Sequence, residues 1–220
     1  MKRRSRKLPF DILHEDANYI VIDKPAGLLV THTHLHGRAA REAQPTAENF
    51  LNCYLRKGQA KSRLRVWLVH RLDRDTSGVM MFAKSERAAE ALRSRWSELT
   101  AKTYLARVQG TLEKGEGVFE SHLLEDADGY RVRSVPAGTP GAKFARTEWR
   151  LLSQKPECAE VEVYLKTGRK NQIRVHFSEA GHPVVGDVKY GGRKASRMYL
   201  HSKALRYDDP FTGRRMEFAT

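Results

Sequence analysis

Two short apolar runs that enclose a dense polar cluster constrain the fold of this chain more than any other feature. The sequence WLVHRLDRDTSGVMMFA begins at Trp67 and ends at Ala83. Residues 67–69 and 79–83 are short, apolar and bounded by polar residues, which predicts two buried strands. Gly78 predicts a tight backbone turn between the polar cluster and the second strand. We therefore expect reactive side chains to be held at a strand end.

Asp73 is the candidate reactive carboxylate of this cluster. Arg71 and Arg74 adjoin it in the sequence, and a neighbouring positive charge favours the ionised form of a carboxylic acid. An ionised carboxylate inside a cleft can act as a nucleophile. The cluster therefore predicts a catalytic aspartate.

The composition predicts a polyanionic partner. The 220 residues include 40 Lys plus Arg against 26 Asp plus Glu, a formal net charge of +14, and the pI is near 10.0. So basic a balance favours nucleic acid as the partner. The chain has no apolar run of the length that spans a bilayer, so a membrane partner is not predicted.

The length predicts one large domain over residues 12–220, preceded by a basic arm over residues 1–11. The arm starts like a signal peptide, but Pro9 and Asp11 fall where a long apolar region is required, so a cytoplasmic location is predicted. Cys53 and Cys158 lack the spacing of a metal or redox site, which predicts two buried thiols without a disulfide. The predicted oligomeric state is a monomer.

Irregular alternation of strand and helix signals predicts an α+β fold, with a mixed, largely antiparallel sheet and a few packed helices. Strands are predicted at 19–23, 104–109, 147–152 and 159–166, and helices after Pro45, over 85–100 and over 172–180. Ala88, Leu92, Trp96 and Leu99 share one face of the second helix and are predicted to lie in the core.

A second polar cluster, GRKNQIRVH, runs from Gly168 to His176 across a predicted helix start. Backbone amides and the helix dipole attract anions there, and arginine can bind a phosphate or carboxylate through two hydrogen bonds. Arg169, Gln172 and Arg174 are therefore candidate binding residues. The alternative is a solvated basic helix face.

These clusters resemble the RluA-like family of RNA pseudouridine synthases. The signature is HRLD followed by TSG, within residues 70–78. Four further blocks occur in the family's order: IVIDKPAGLLV (20–30), KTYLARVQG (102–110), LKTGRKNQIRVHFSEAGHPVVGD (165–187) and LHSKALRYDDPFTG (200–213). The resemblance implies a pseudouridine synthase-like catalytic domain that isomerises specific uridines in RNA without a cofactor.

The resemblance also implies catalytic roles for three residues. Asp73 falls on the family's nucleophilic aspartate, Arg174 on the arginine whose guanidinium pairs with it, and Tyr104 on an active-site tyrosine near the target base. Three routes stay open for the carboxylate: attack on C1′, addition to C6 of the base, and removal of the C2′ proton.

Substrate binding is predicted for a further group of residues. A uridine stacked in RNA must be turned out into the pocket, and His70 or Arg71 is expected to fill the gap that it leaves. Leu200, together with Leu205, falls in the family's last block and is predicted to line the uracil pocket. Asn171 replaces the usual histidine of relatives, which is expected to alter substrate detail more than catalysis.

The predicted partner is a compact RNA element. Many relatives carry a small N-terminal RNA-binding domain, which is not expected here because the similarity begins at about Ile12. The catalytic domain is then expected to recognise RNA by itself. A stem-loop of tRNA or rRNA suits it, because unpaired loop bases can be splayed out and recognised.

Two rival interpretations remain open. His32, His34 and His36 alternate in sequence, but their surroundings lack a known zinc-ligand spacing, so no metal site is predicted. A non-catalytic RNA-binding or RNA-folding protein would explain the charge. It would leave Asp73 unexplained, because a carboxylate in a basic groove repels phosphate.

Overall fold

The computed structural model describes residues 8–32, 44–57, 59 and 61–220. The chain divides into two compact units: a first unit, Met1–Leu99 with Tyr207–Thr220, and a second unit, Thr100–Arg206. Residues 1–7 of the predicted basic arm lie outside the described residues. The arm and the single domain over 12–220 stay predictions.

An antiparallel sheet organises the first unit. Its strands are β1 (Asp11–Glu15), β2 (Tyr19–Lys24), β3 (Trp67–Leu68) and β4 (Ser77–Ala83), and the unit also contains β11 (Arg215–Ala219). β2 pairs with β1 and β4, and β3 pairs with β4. Every residue of β4 is buried, as the apolar run predicts. Gly78 lies inside β4 opposite Lys24, and the turn falls earlier, at Arg74 and Asp75, so the prediction of a turn at Gly78 is wrong.

The helix after Pro45, α1 (Ala47–Arg56), begins where the Thr46 and Asn49 side chains cap each other's backbone N–H. Ala47 and Leu51 form its buried stripe, one turn apart. Cys53 points away from this stripe and is exposed, and Cys158 is half-buried. Both thiols are free, and the prediction that both are buried is wrong.

The predicted helix over 85–100 is interrupted. It consists of α2 (Glu86–Arg93), capped by Ser85, and the short α3 (Trp96–Leu99). The Ser94 hydroxyl donates to the Glu90 carbonyl (2.8 Å), a back-bond that competes with helix continuation. Ala88 and Leu92 are buried as predicted, whereas Trp96 and Leu99 are only half-buried because the stripe ends at the interruption.

The second unit is built mainly from long strands. They are β5 (Thr100–Gln109), β6 (Glu116–Glu125), β7 (Val132–Val135), β8 (Lys143–Lys155), β9 (Cys158–Leu165) and β10 (Leu200–Asp208), whose last two residues belong to the first unit. Their order is β10-β5-β9-β8-β6-β7. The ladders from β5 to β7 are antiparallel.

One helix, α4 (Gln172–Glu179), carries the second polar cluster, and a 3-10 turn (Val188–Tyr190) follows it. Residues 172–177 are all buried, so the alternative of a solvated basic helix face is wrong. The predicted α+β class is confirmed, with antiparallel ladders and few helices. None of the helices within the described residues has the length and apolar character needed to span a bilayer.

Candidate active site

The predicted site residues are divided between the two units. His70, Arg71 and Asp73 belong to the first unit. The second unit holds Tyr104, Arg169, Gln172, Arg174 and Leu200. Each group has its own supporting contacts.

The turn that carries Asp73 joins β3 to β4. The Thr76 backbone N–H donates to the Asp73 carbonyl (3.2 Å), which closes the turn around Arg74 and Asp75. Thr76 is buried and β4 begins at Ser77, whereas Asp73 is half-buried. The buried strand therefore holds Asp73 where its side chain retains access to solvent.

A buried lysine anchors this turn. Lys24 is 0% exposed, and its ammonium donates to the carbonyls of Pro25, Leu28 and Arg74, each at 2.9 Å. The Gly27 N–H also donates to the Arg74 carbonyl (2.9 Å). Burial lowers the pKa of Lys24 to about 8, against the opposing charges of the acidic side chains in the turn. Sequence reasoning missed this role of Lys24, although Lys24 lies within the block IVIDKPAGLLV, just before Pro25.

Replacing Lys24 by Met is expected to destabilise the protein. Methionine has a similar length but no donor, so the Pro25 and Leu28 carbonyls lose this part-buried bond and the Arg74 carbonyl keeps only the Gly27 N–H. Because each carbonyl left without a partner costs about 1–3 kcal/mol, the free energy of unfolding should fall by about 2 kcal/mol or more in denaturant titrations. Lys84→Met removes a partly exposed ammonium that binds Glu15 and the Asp16 carbonyl, both at 2.7 Å, and should cost less, about 1 kcal/mol. An equal loss of unfolding free energy in the two variants would contradict the anchoring role of Lys24.

His70 is held rigidly, whereas Arg71 is exposed. The Met81 N–H donates to His70 Nε2 (3.0 Å), so this nitrogen carries no proton, and the imidazole stacks on Trp96 with ring centroids 4.7 Å apart. Within the described part of the chain, Arg71 has no hydrogen bond or ion pair. The Arg71 guanidinium is therefore available to contact a ligand, whereas the His70 imidazole is already held by protein groups.

In the second unit, Arg174 forms a buried ion pair with Asp187. Arg174 Nε and Nη2 donate to the two carboxylate oxygens of Asp187 at 2.6 and 2.7 Å. The side chains are 10% and 1% exposed. A bidentate pair of this kind fixes the plane of the guanidinium. Asp187 was missed by sequence reasoning, although it ends the block that carries Arg174.

Asn171 links this ion pair to the second unit's core. It has a left-handed backbone (φ 53°), which asparagine tolerates better than most residues. Its carbonyl accepts from Arg174 Nη1 (3.2 Å), and its amide donates to the Tyr190 hydroxyl (2.9 Å). Asn171 therefore positions the guanidinium.

The side-chain amide of Gln172 forms all of its hydrogen bonds within the protein. Its amide donates to the Arg146 carbonyl (3.0 Å) and the Thr147 hydroxyl (2.8 Å), and its carbonyl accepts from the Thr167 hydroxyl (2.7 Å) and the Arg169 N–H (3.0 Å). These bonds use both donors and both acceptor lone pairs. The contacts favour a role in organising the loop before α4. Arg169, by contrast, is exposed, with one bond from Nε to the Phe144 carbonyl (2.8 Å).

Tyr104 and Lys102 lie on β5 of the same unit. Tyr104 is buried opposite Val163. Burial lowers the pKa of Lys102 to about 8. A Cβ atom at Gly168 would lie 3.1 Å from Lys102 Nζ, so the ammonium lies against the start of the second polar cluster. Leu200, at the start of β10, is 3% exposed.

A buried polar chain fixes α4 to the strands. His176 Nδ1 lies 2.8 Å from the Thr147 hydroxyl and Nε2 lies 3.0 Å from the Ser121 hydroxyl. The Ser134 hydroxyl donates to Glu179 (2.5 Å) and lies 2.9 Å from the Ser121 hydroxyl, from which it can accept. Burial lowers the pKa of His176 to about 4, so the folded protein holds the imidazole neutral at pH 7.

His176 predicts a loss of stability in acid. An unperturbed histidine has a pKa of 6.5, so between pH 6.5 and 4 the unfolded chain binds more protons than the folded chain. Acidification then favours unfolding, and the contribution, present above pH 6.5, is lost progressively towards pH 4. The loss should reach about 3 kcal/mol at most. Denaturant titrations across this range should show a shallower pH dependence for His176→Gln. An unchanged dependence would exclude His176 as the cause.

Among the described residues, no three His, Cys, Asp or Glu side chains are placed to hold a metal ion. His34 and His36 of the alternating histidines lie outside these residues. The expectation of no metal site therefore stays a prediction.

The comparison with known families decides the assignment. A sequence profile described as RNA pseudouridylate synthase matches residues 18–179. The chain belongs to the RNA pseudouridylate synthase family. As a member it is an isomerase that converts uridine to pseudouridine in RNA, which confirms the predicted family, activity and RNA partner.

Individual relatives agree with this assignment. The chain is 33% identical over 219 residues to the uncharacterized RNA pseudouridine synthase YlyB of Bacillus subtilis (strain 168), covering 96% of this chain and 68% of the relative. It is 31% identical over 225 residues to the ribosomal large subunit pseudouridine synthase C of Vibrio vulnificus (strain CMCP6), covering 94% of this chain and 64% of the relative. The solved structure of human RNA pseudouridylate synthase domain containing 1 matches with a TM-score of 0.73 and 25% identity, covering 96% of this chain and 82% of that one.

Proposed function

We propose that this pseudouridine synthase uses Asp73 as its nucleophile. The observation that carries the proposal is the anchored turn, in which Lys24 and Gly27 bind the Arg74 carbonyl directly after Asp73. A catalytic group needs a position that its surroundings hold in place. The half-buried Asp73 carboxylate has this support and is still reachable.

The reaction balances without a cofactor. The N1–C1′ bond breaks, the uracil turns, and C5 bonds to C1′, while the C5 hydrogen leaves as a proton and N1 gains one. Attack at C1′, addition at C6 and removal of the C2′ proton all require an unprotonated Asp73 oxygen. The proposal therefore holds for each route.

Arg71 is proposed to fill the gap that the turned-out uridine leaves in the RNA. Its guanidinium is exposed and uncommitted among the described residues, whereas His70 is fixed by the Met81 N–H and by Trp96. A planar cation can stack on bases and bind phosphate. This contrast favours Arg71 over His70.

Roles are also proposed for residues of the second unit, each from its match to the family's sequence blocks. Arg174, oriented by Asp187 and Asn171, is proposed to stabilise the ionised aspartate. Tyr104 is proposed to contact the target base, and Leu200 to line the uracil pocket. Arg169 is proposed to bind phosphate, because its guanidinium is exposed.

The proposed substrate is a stem-loop of ribosomal RNA. Relatives in Vibrio vulnificus and in Borreliella burgdorferi are named for the ribosomal large subunit. Transfer RNA is the other structured RNA to test. A monomer acting in the cytoplasm, where these RNAs are modified, completes the proposal.

Tritium release from C5 tests the proposed function. Wild-type protein is incubated separately with C5-tritiated rRNA and tRNA from a strain that lacks the gene. Release from rRNA is expected. Tritium release from tRNA but not from rRNA would contradict the proposal that the substrate is ribosomal RNA. Tight RNA binding without release from either would favour the non-catalytic RNA-binding alternative.

A further inference from the structure

An open basic groove lies in the first unit, beside the segment that leads into β3. Its volume is about 640 Å³. The side chains that shape its chemistry are Arg56, Lys61, Arg63, Arg65, Trp67 and Lys84. None of them belongs to the site described above.

Among the described residues, three of these cations lack acidic partners. Lys84 is bound by Glu15 (2.7 Å). For Lys61, Arg63 and Arg65 the described part of the chain provides no ion pair, and all three are exposed. A concave surface with three uncompensated positive charges attracts a polyanion.

The part of this segment next to β3 is anchored to α1. The Val66 N–H donates to the Asn52 side chain on α1 (2.7 Å), and Arg56 Nε donates to the Leu64 carbonyl (2.8 Å). Binding therefore requires little ordering of the loop backbone, which favours affinity.

An aromatic ring in the groove favours nucleic acid over an acidic peptide. The Arg65 guanidinium lies 3.9 Å from the centre of the Trp67 ring. Phosphate-binding cations beside aromatic and guanidinium planes are typical of surfaces on which nucleic-acid bases stack. An acidic peptide would use the cations only.

The strand register sets the distance from the groove to the reacting uridine. Trp67 pairs with Ala83 at one end of β4, while the turn with Asp73 precedes Ser77 at the other end. Six residue steps of strand span about 20 Å. An A-form RNA helix rises by about 3 Å per base pair, so this length corresponds to roughly six to seven nucleotides.

We propose that this groove binds the backbone of the substrate RNA about six to seven nucleotides from the target uridine. The inference rests on the proposed use of Asp73 for the position of that uridine. It adds a second contact to the RNA, remote from the reacting base. The groove then contributes to affinity for extended substrates and leaves the chemical step unchanged.

Two variants with equal charge changes test the groove. One carries Lys61→Gln, Arg63→Gln and Arg65→Gln. The control carries Arg87→Gln, Arg93→Gln and Arg95→Gln, on and just after α2. Thermal melting checks that both fold. Each binds labelled RNA hairpins that share a uridine-containing loop and have stems of about 3 or about 12 base pairs, chosen to end before or beyond the groove at about 3 Å per pair.

The groove variant should bind the long hairpin about 10- to 100-fold more weakly, and the slope of log Kd against log salt should fall by about 2–3. Its binding of the short hairpin should equal that of the control variant. In the tritium assay on rRNA its KM should rise while kcat stays unchanged. Equal losses of affinity for both hairpins, or equal losses in the control variant, would overturn the groove proposal. Polyglutamate serves as the acidic-peptide probe, and a greater loss of affinity for it than for RNA would also overturn the proposal.

Binding and catalysis fail separately in this design. The expected hairpin result without tritium release from any RNA would overturn the proposed function and leave the groove as an RNA-binding surface. Normal tritium release with unchanged binding would overturn the groove alone.

Discussion

Asp73→Asn is expected to abolish pseudouridine formation. The amide has the size of the carboxylate, but it carries no negative charge and cannot supply the electron pair. The loss of a nucleophile in other enzymes lowers kcat by about 10⁴-fold or more, and we expect a loss of this size. C5 tritium release measures it, and binding of a labelled RNA hairpin should stay within about twofold of wild type.

Asp75→Asn is the matched control in the same turn. Asp75 lies two residues further on and is bound to Arg74 (3.0 Å), largely exposed to solvent. Loss of an exposed pair costs about 1 kcal/mol or less. The control should therefore keep most of the activity. An active Asp73→Asn protein, or equally inactive variants at both positions, would refute the assignment of the nucleophile.

Asp187→Asn is expected to cause the largest loss of stability. It removes the carboxylate that accepts both bonds from Arg174, so the buried guanidinium loses its bidentate partner. Breaking a buried pair in this way costs about 3–5 kcal/mol. Denaturant titrations should show this loss, and pseudouridine formation should fall because the guanidinium is no longer oriented.

Two further variants separate stability from catalysis. Glu160→Gln breaks the pair with Arg107 (2.7 Å), whose side chains are 48% and 38% exposed, and should cost less than about 1 kcal/mol. The double variant Arg174→Met with Asp187→Leu should recover most of the lost stability, because apolar groups can replace a buried ion pair. It should stay inactive. Restored activity would show that Arg174 serves only the fold.

Local patterns accounted for the strands well. The runs at 19–23 and 79–83 form β2 and β4, because an uninterrupted apolar run can be buried only between neighbouring elements. The predicted helix over 85–100 failed at Ser94. The helical spacing of apolar residues continues past Ser94, whose hydroxyl binds the carbonyl of the preceding turn and competes with the helix. Apolar periodicity alone does not show this competition.

The candidate site was predicted unevenly. Asp73, Arg71 and Arg174 were proposed from the sequence because each stands in a compact motif. Lys24 and Asp187 were missed, although they hold the motif residues in place. Gln172 was taken as a substrate contact, yet its bonds are satisfied inside the second unit. A motif shows which residues are concentrated together, but not which of them already have partners.

The sequence by itself determined the family, the α+β class and the candidate aspartate, because these depend on contiguous residues. Only the tertiary structure decided what supports the chemistry. Lys24 meets the Arg74 carbonyl across 50 positions of chain, and Asp187 meets Arg174 across 13. Burial explains these partners, because a charged group that is removed from water needs a hydrogen-bond or ion-pair partner, and only the fold determines which residue is near enough to provide it.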